Sequence, residues 1–384
     1  MNQLTYLSYF LFILLGFINM LASVVLIEIA ASFQVDTYVI GYCLALVSLG
    51  SILAIPLTGH LLEKISQKRM TLAALLLVTA GAGSLATSSS WPLFAAANFL
   101  FGCSNGMLLS IANHIIVHLY EAQARSVRLN LLNFAYSAGA VSAPFLGSFL
   151  VQRQWPWQGI YLLALLLPLA ALFFTYNAPF YRLYRLKKST SFPAAAPETY
   201  WNLRVYLAGI ALFFYVVSET AFINWSVVYF RQHNGFNLAD ASRLLGVFLA
   251  SMAAGRFLSG FIVRYIRLDW FILASSALSV AFFTGILIRN DYTLLLPLTA
   301  LTGFCYSGLY ASILSYGTLQ LSRPSSQALT FFVVMTSLGG MVGQFLAGFI
   351  KQTLDVTFCL FFSLLMMAVV FLLILTARSG KAHE

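Results

Sequence analysis

Four ionisable side chains stand inside long apolar runs: Glu28, His114, Glu219 and Arg256. A charge in hydrocarbon is costly, so such groups mark ion or solute paths unless a neighbouring helix satisfies them. Glu219 lies about 15 residues into its run, near the bilayer midplane at a rise of 1.5 Å per residue. It is either a proton carrier or substrate acceptor, or a protonated carboxyl hydrogen-bonded to another helix. Glu28, near the end of the first run, is a hydrated rim residue or a coupling group. His114 is a packing residue held by hydrogen bonds or a protonatable cavity group, since imidazole titrates near neutrality. Arg256, directly after Gly255, is an intramembrane counter-ion or gate, or it snorkels.

Neutral polar residues surround these four in sequence. Asn130, Asn133 and Ser137 fall at i, i+3 and i+7, one helix face. Asn98 and Asn105 share another face, Asn113 adjoins His114, and Asn224 follows Glu219. Such stripes line cavities or join helices. Tyr136, Trp225 and Tyr229 are aromatics that either stack on a flat ligand or pack.

The elements holding these groups are long apolar helices. Of 384 residues 60% are hydrophobic and 8% charged, where an ordinary soluble domain has about 25% charged. That excludes a soluble enzyme, and the apolar content excludes a disordered chain. Apolar runs predict twelve spans near 5–31, 38–61, 70–88, 92–119, 129–151, 158–178, 204–230, 242–264, 269–288, 292–320, 326–350 and 356–377. The basic, proline-bearing stretch 179–203 reads as a cytoplasmic linker between two halves, 1–178 and 204–384. With the N-terminus inside, 15 loop cations fall on the cytoplasmic side and 5 outside, which predicts both termini cytoplasmic. The scattered Lys and Arg thus read as topology signals and not as a nucleic-acid face. No cleavable signal peptide is expected, and the four cysteines read as small core residues.

The halves repeat. Ser137, Gly139, Phe145, Leu146 and Phe149 recur 200 residues later as Ser337, Gly339, Phe345, Leu346 and Phe349. Gly59 and Gly260 stand 201 apart, as do Gly102 and Gly303. Two parallel six-helix repeats with a midplane site between them are a transporter arrangement.

The loop after the second span, Gly59-His-Leu-Leu-Glu63-Lys64-Ile-Ser-Gln-Lys68-Arg69, resembles the signature loop of the major facilitator superfamily. Glu63 stands for the usual Asp and Ser66 for the usual Gly. As a cytoplasmic gate, Gly59 would allow close helix approach, Glu63 would meet a cation or helix N-terminus, and Lys68 and Arg69 would face the anionic leaflet. In the fifth span, Gly139-x3-Ala143-Pro144-x2-Gly147-Ser148 resembles the superfamily's antiporter motif, with Ala143 and Ser148 replacing two glycines; it also reads as a Pro-kinked packing face. Arg128-Leu-Asn130 with Asn133, Ser137 and Gly139, and Tyr215 with Ser218, Glu219, Trp225 and Tyr229, resemble the fifth and seventh helices of the fucose–proton symporter branch, and Leu119-Tyr120-Glu121 before Arg128 and Phe222-Ile223-Asn224-Trp225 resemble its bacterial TsgA-like transporters. The proton-coupled fucose carriers of that branch use an Asp in the first helix and a Glu in the fourth. Here Ser23 and Leu109 match those positions, and neither titrates.

The resemblance implies the major facilitator fold, an all-α membrane protein with twelve transmembrane helices in two pseudo-symmetric six-helix bundles. The expected activity is secondary transport of a small polar solute across the cytoplasmic (inner) membrane by alternating access, as proton-coupled symport. The alternative is an efflux antiporter for drugs, metabolites or a siderophore. No catalytic, metal or phosphate-binding motif is present, so no enzyme activity and no cofactor are expected. The expected partners are the solute, a proton and the bilayer, with the protein monomeric.

Overall fold

A computed structural model describes residues 2–120, 122–180, 202–263, 265–320 and 326–379. Among them every regular element is an α-helix. The first eight are α1 Asn2–Val24, α2 Leu26–Ser32, α3 Thr37–Lys64, α4 Gln67–Ala86, α5 Trp91–Leu119, α6 Ala122–Gln152, α7 Trp157–Ala164 and α8 Leu166–Asn177. The next seven are α9 Leu203–Gln232, α10 Leu238–Ile262, α11 Leu268–Ile288, α12 Tyr292–Ser307, α13 Leu309–Leu319, α14 Ser326–Thr353 and α15 Val356–Ser379. Twelve stretches are long and apolar enough to cross a bilayer, from Gln3–Val24 to Val356–Arg378. In lipid a helix satisfies its own backbone, which an open strand does not.

Three spans are less regular than the apolar runs suggest. The first breaks at Val25 (φ −106°, ψ 22°), leaving the short α2. The sixth breaks at Leu165, three residues before Pro168, whose missing N–H leaves the Ala164 carbonyl without its helical donor. The tenth breaks at Gly308. The fifth helix begins at Ala122, ahead of its apolar span Leu131–Gln152. Most of the stretch 179–203 lies outside the described residues.

The chain divides into two compact units, Met1–Ala196 and Pro197–Glu384. In the first unit α1 packs along α6 and α3 along α5; in the second α9 packs along α14 and α10 along α12. The closest approaches repeat with the sequence offsets. A Cβ on Gly102 would strike the backbone of Val47, and one on Gly303 that of Phe248, 201 residues on. A Cβ on Gly139 would strike the Ile13 carbonyl, and one on Gly339 the Phe213 carbonyl, 200 residues on. Small residues let membrane helices touch backbone to backbone. Phe145, Phe149, Phe345 and Phe349 lie on the exposed side of the same helices. The repeated motif therefore encodes one packed face and one exposed apolar face.

Candidate functional site

Glu219 and Arg256 come together. Helix α9 carries Glu219 and α10 carries Arg256, with Arg256 Nη2 at 3.6 Å from Glu219 Oε1. The Glu219 side chain is 15% exposed and that of Arg256 31%. Tyr215, one turn before Glu219, has its hydroxyl 3.3 Å from Glu219 Oε1 and 3.1 Å from the Tyr306 carbonyl. It has one proton to donate between these two acceptors.

Beside the acid a neutral network ties α9 to α12 and α15. Ser218 Oγ lies 2.7 Å from the Tyr306 hydroxyl and 2.7 Å from the Ser363 carbonyl. Ser363 Oγ donates back to the Ser218 carbonyl at 2.7 Å. Tyr310 of α13 sets its ring against that of Tyr215, centroids 6.5 Å apart. The acid is thus held on a frame of hydroxyl-bearing helices. Arg256 owes its position partly to Gly255, where a Cβ would strike the Ser307 side chain.

The first unit has a neutral counterpart. Asn19 Nδ2 of α1 donates to Asn105 Oδ1 of α5 at 2.9 Å and to the Leu15 carbonyl at 2.8 Å. Asn105 Nδ2 donates to Ser51 Oγ of α3 at 3.1 Å, and Ser51 Oγ donates to the Gly102 carbonyl at 2.9 Å. Asn105 is thus the hinge of a three-helix bridge whose other members, Asn19 and Ser51, sequence reasoning passed over. The repeat offsets were the available signal: Asn19 is 200 residues before Glu219, and Asn105 is 201 before Tyr306.

The other proposed cavity residues are more dispersed. Asn113 and Asn133 donate to carbonyls one turn back on their own helices, Leu109 at 2.8 Å and Leu129 at 3.1 Å. Asn224 is buried and donates to the Thr220 carbonyl at 3.0 Å. The side chain of Asn130 lies outside the described residues. Tyr136 is half-buried with its ring edge-on to Phe12, centroids 6.4 Å apart. Trp225 and Tyr229 are wholly enclosed. Tyr229 stacks on His233 at 4.8 Å, so in this structure neither ring offers a face to a solute. The rings of His114 and His118 pack at a tilt of 33°, centroids 3.8 Å apart, and His118 Nδ1 lies 2.9 Å from the His114 carbonyl. Glu28 is half-buried in the first turn of α2, where the helix dipole favours an anion.

The gate loop differs from expectation in detail. No described atom lies within 4 Å of where a Gly59 Cβ would stand, so close helix approach is not its role here. The Glu63 side chain lies outside the described residues, and Lys64 and Arg69 are exposed. Lys68 Nζ bonds the Tyr176 carbonyl at 2.7 Å and lies 5.1 Å from the Tyr176 ring, so it ties α4 to the end of α8. In the second unit the corresponding tie is ionic. Asp269 at the start of α11 pairs with Arg267 at 3.0 Å and with Arg378 of α15 at 3.3 Å. In the fifth helix Gly139 is the close contact on Ile13. Pro144 lies buried within continuous α6, and Gly147 approaches the Val24 side chain.

Twelve apolar helices in two repeat-related bundles, each with a polar cluster at equivalent helix pairs, define a multi-pass membrane protein of transporter architecture. The sequence pattern of the Major Facilitator Superfamily matches residues 7–268, and the chain belongs to that superfamily. The TsgA homolog of Erwinia tasmaniensis is 25% identical over 381 residues, covering 99% of this chain and 96% of its own length. Protein TsgA of Salmonella schwarzengrund is 26% identical over 344 residues, 88% of this chain and 86% of its own. The crystal structure of the human organic anion transporter MFSD10 (TETRAN) superposes with a TM-score of 0.70 at 16% identity, over 97% of this chain and 99% of that one. FucP, a major facilitator transporter in the outward conformation, superposes with a TM-score of 0.61 at 21% identity, over 97% and 98%. These two likenesses show the fold.

Proposed function

We propose that the chain is a proton-coupled symporter for a small polar solute in a bacterial inner membrane, working as a monomer by alternating access. Both termini face the cytoplasm, as the loop cations indicate, and residues 179–203 link the two bundles. Glu219 is the proton carrier. One observation supports this above the rest: a mid-span carboxylate with one oxygen shared between Tyr215 and Arg256. As a carboxylate it is balanced by Arg256. As a neutral acid it keeps Tyr215 as a partner, with its own proton to donate. Both protonation states therefore have partners in place, which a carrier needs. His114 and Glu28 remain secondary candidates. The resemblance to the fucose–proton symporter branch supports symport. The packing role of Gly139 accounts for the helix-five motif, which favours symport over the antiporter alternative.

The test uses proteoliposomes loaded with a pH-sensitive dye under an imposed pH gradient. Solutes of the sugar and organic-acid classes are added outside, and solute-dependent acidification is read. Wild-type protein is expected to couple the two, and Glu219→Gln to lose the coupling. Acidification unchanged in Glu219→Gln would sink the assignment.

A further inference from the structure

We propose that Arg256 anchors a carboxylate-bearing solute, and that the solute replaces Glu219 as its counter-ion once Glu219 is protonated. This rests on the proton-carrier reading of Glu219 and adds the chemical class of the cargo. The pair is loose: its single N···O separation of 3.6 Å lies outside the usual hydrogen-bond range of about 2.7–3.2 Å. A guanidinium forms a fork of five N–H donors that fits a carboxylate in bidentate fashion. Glu219 engages that fork through one oxygen only, and the same oxygen receives Tyr215.

Exposure decides which member of the pair meets a solute. Arg256 is twice as exposed as Glu219, at 31% against 15%. The acid is enclosed by its own turn, where Tyr215 meets it, and by α12 and α13, whose Tyr306 and Tyr310 rings pack on Tyr215. Among the described residues, α15 adds the hydroxyl of Ser363 to this cluster. A cationic solute would have to reach the more enclosed partner, whereas an anion meets the more open one. Charge balance points the same way. Glu219 takes its proton from the aqueous phase and becomes neutral, so it no longer offsets the guanidinium charge. A solute carboxylate restores the balance, so proton and anion bind together as an electroneutral pair.

Purified protein is melted at pH 5.5 and 7.5 with matched probes at equal ionic strength: galacturonate with galactose, glycerate with glycerol, and propionate with propanol. At least one carboxylate is expected to stabilise the wild type where its neutral partner does not. Its apparent affinity should rise about tenfold per unit fall in pH while Glu219 is ionised, as one linked proton requires. Glu219→Gln, a mimic of the protonated acid, is expected to bind the same probe equally at both pH values. Arg256→Gln should weaken it at least tenfold. If Arg256→Gln does not fold, Arg256→Lys serves: it should bind more weakly and keep the pH dependence. No carboxylate shift in Glu219→Gln, or equal shifts from a neutral partner, overturns the proposal. A neutral probe whose binding tightens in acid only when Glu219 is present removes the anion and leaves proton coupling standing. A carboxylate held by Arg256 with no pH dependence in the wild type removes proton coupling and, with it, the exchange.

Discussion

Where the second unit carries Glu219 the first carries Asn19, and where the second carries Tyr306 the first carries Asn105. The same close backbone contact recurs in both units beside these positions, α3 on α5 through Gly102 and Val47 and α10 on α12 through Gly303 and Phe248. The chemistry is different. The first unit closes its bridge with neutral amides and a serine, each donor met by an acceptor. The second places a carboxylate and a guanidinium side by side and surrounds them with hydroxyls. The helix ends differ likewise. Phe33 meets Trp157 as an aromatic pair at 5.6 Å, while 200 residues on His233 meets Thr357 through a hydrogen bond at 3.2 Å. One fold has kept its packing code in both halves, and the second sets an acid against a guanidinium where the first sets amides.

The largest expected effect tests the shared packing. Gly102→Val and Gly303→Val each drive side-chain atoms into the backbone of a neighbouring helix. Each should destabilise its unit by about 3 kcal/mol or more, since neither backbone is free to yield. Loss of the monodisperse peak in size-exclusion chromatography reads the outcome. If one glycine tolerates valine and the other does not, the two units are not equivalent in packing.

Next comes the charged cluster. Arg256→Ala strips Glu219 of its counter-ion and should cost about 2–4 kcal/mol at neutral pH, a little under the range for a fully buried pair because Arg256 is part-exposed. The loss should shrink as pH falls, because a protonated Glu219 needs no cation. Adding Glu219→Gln to Arg256→Ala should restore much of the melting temperature at neutral pH. A loss of equal size at every pH would mean that Glu219 is already neutral and that the pair is not ionic.

Asn105→Leu probes the first unit. It removes one bridge among three helices, and membrane hydrogen bonds of this kind are worth about 1 kcal/mol. Its effect on melting temperature should be flat from pH 5.5 to 7.5, since no member of the bridge titrates. A pH-dependent effect would erase the contrast between the units.

The sequence showed the parts of this picture that rest on local pattern. Twelve spans follow from apolar length, and the repeat follows from glycines at a constant offset. Glu219 and Arg256 stand out because a charge inside an apolar run is rare. Tyr215, Ser218, Tyr306 and Ser363 do not stand out. Hydroxyl residues are common in membrane helices, and their partners lie up to 145 residues away. Trp225 and Tyr229 stay open in the sequence for a related reason: a core aromatic and a ligand-stacking aromatic have the same local signature, and only packing separates them. The role of Lys68 also hid, because a carbonyl at the end of another helix leaves no trace in composition. Val25 shows the same limit for the backbone, since nothing in its run marks the break.

The smallest effect lies at the end of the second unit, in the connection between α14 and α15. Partial burial alone would raise the Asp355 carboxyl. The Val356 amide, the Thr357 hydroxyl and the Lys351 ammonium outweigh that and hold it below its ordinary value of 3.8. Thr357 lies 3.1 Å from Asp355 Oδ2 and Lys351 3.5 Å from Oδ1. A carboxyl depressed in the folded state adds stability above its unfolded value, and the gain is lost as pH falls through the folded value. The side chain is 58% exposed, so solvent screening limits the contribution to about 0.5 kcal/mol. Asp355→Asn should therefore lower the melting temperature slightly at pH 7, and the gap to wild type should close as the carboxyl protonates and narrow at high salt. The repeat-related residue in the first unit is Trp155, with Val151 in place of Lys351. Trp155→Phe should accordingly show no such pH or salt dependence. A gap for Asp355→Asn that persists in acid would assign its effect to packing and make the two ends alike after all.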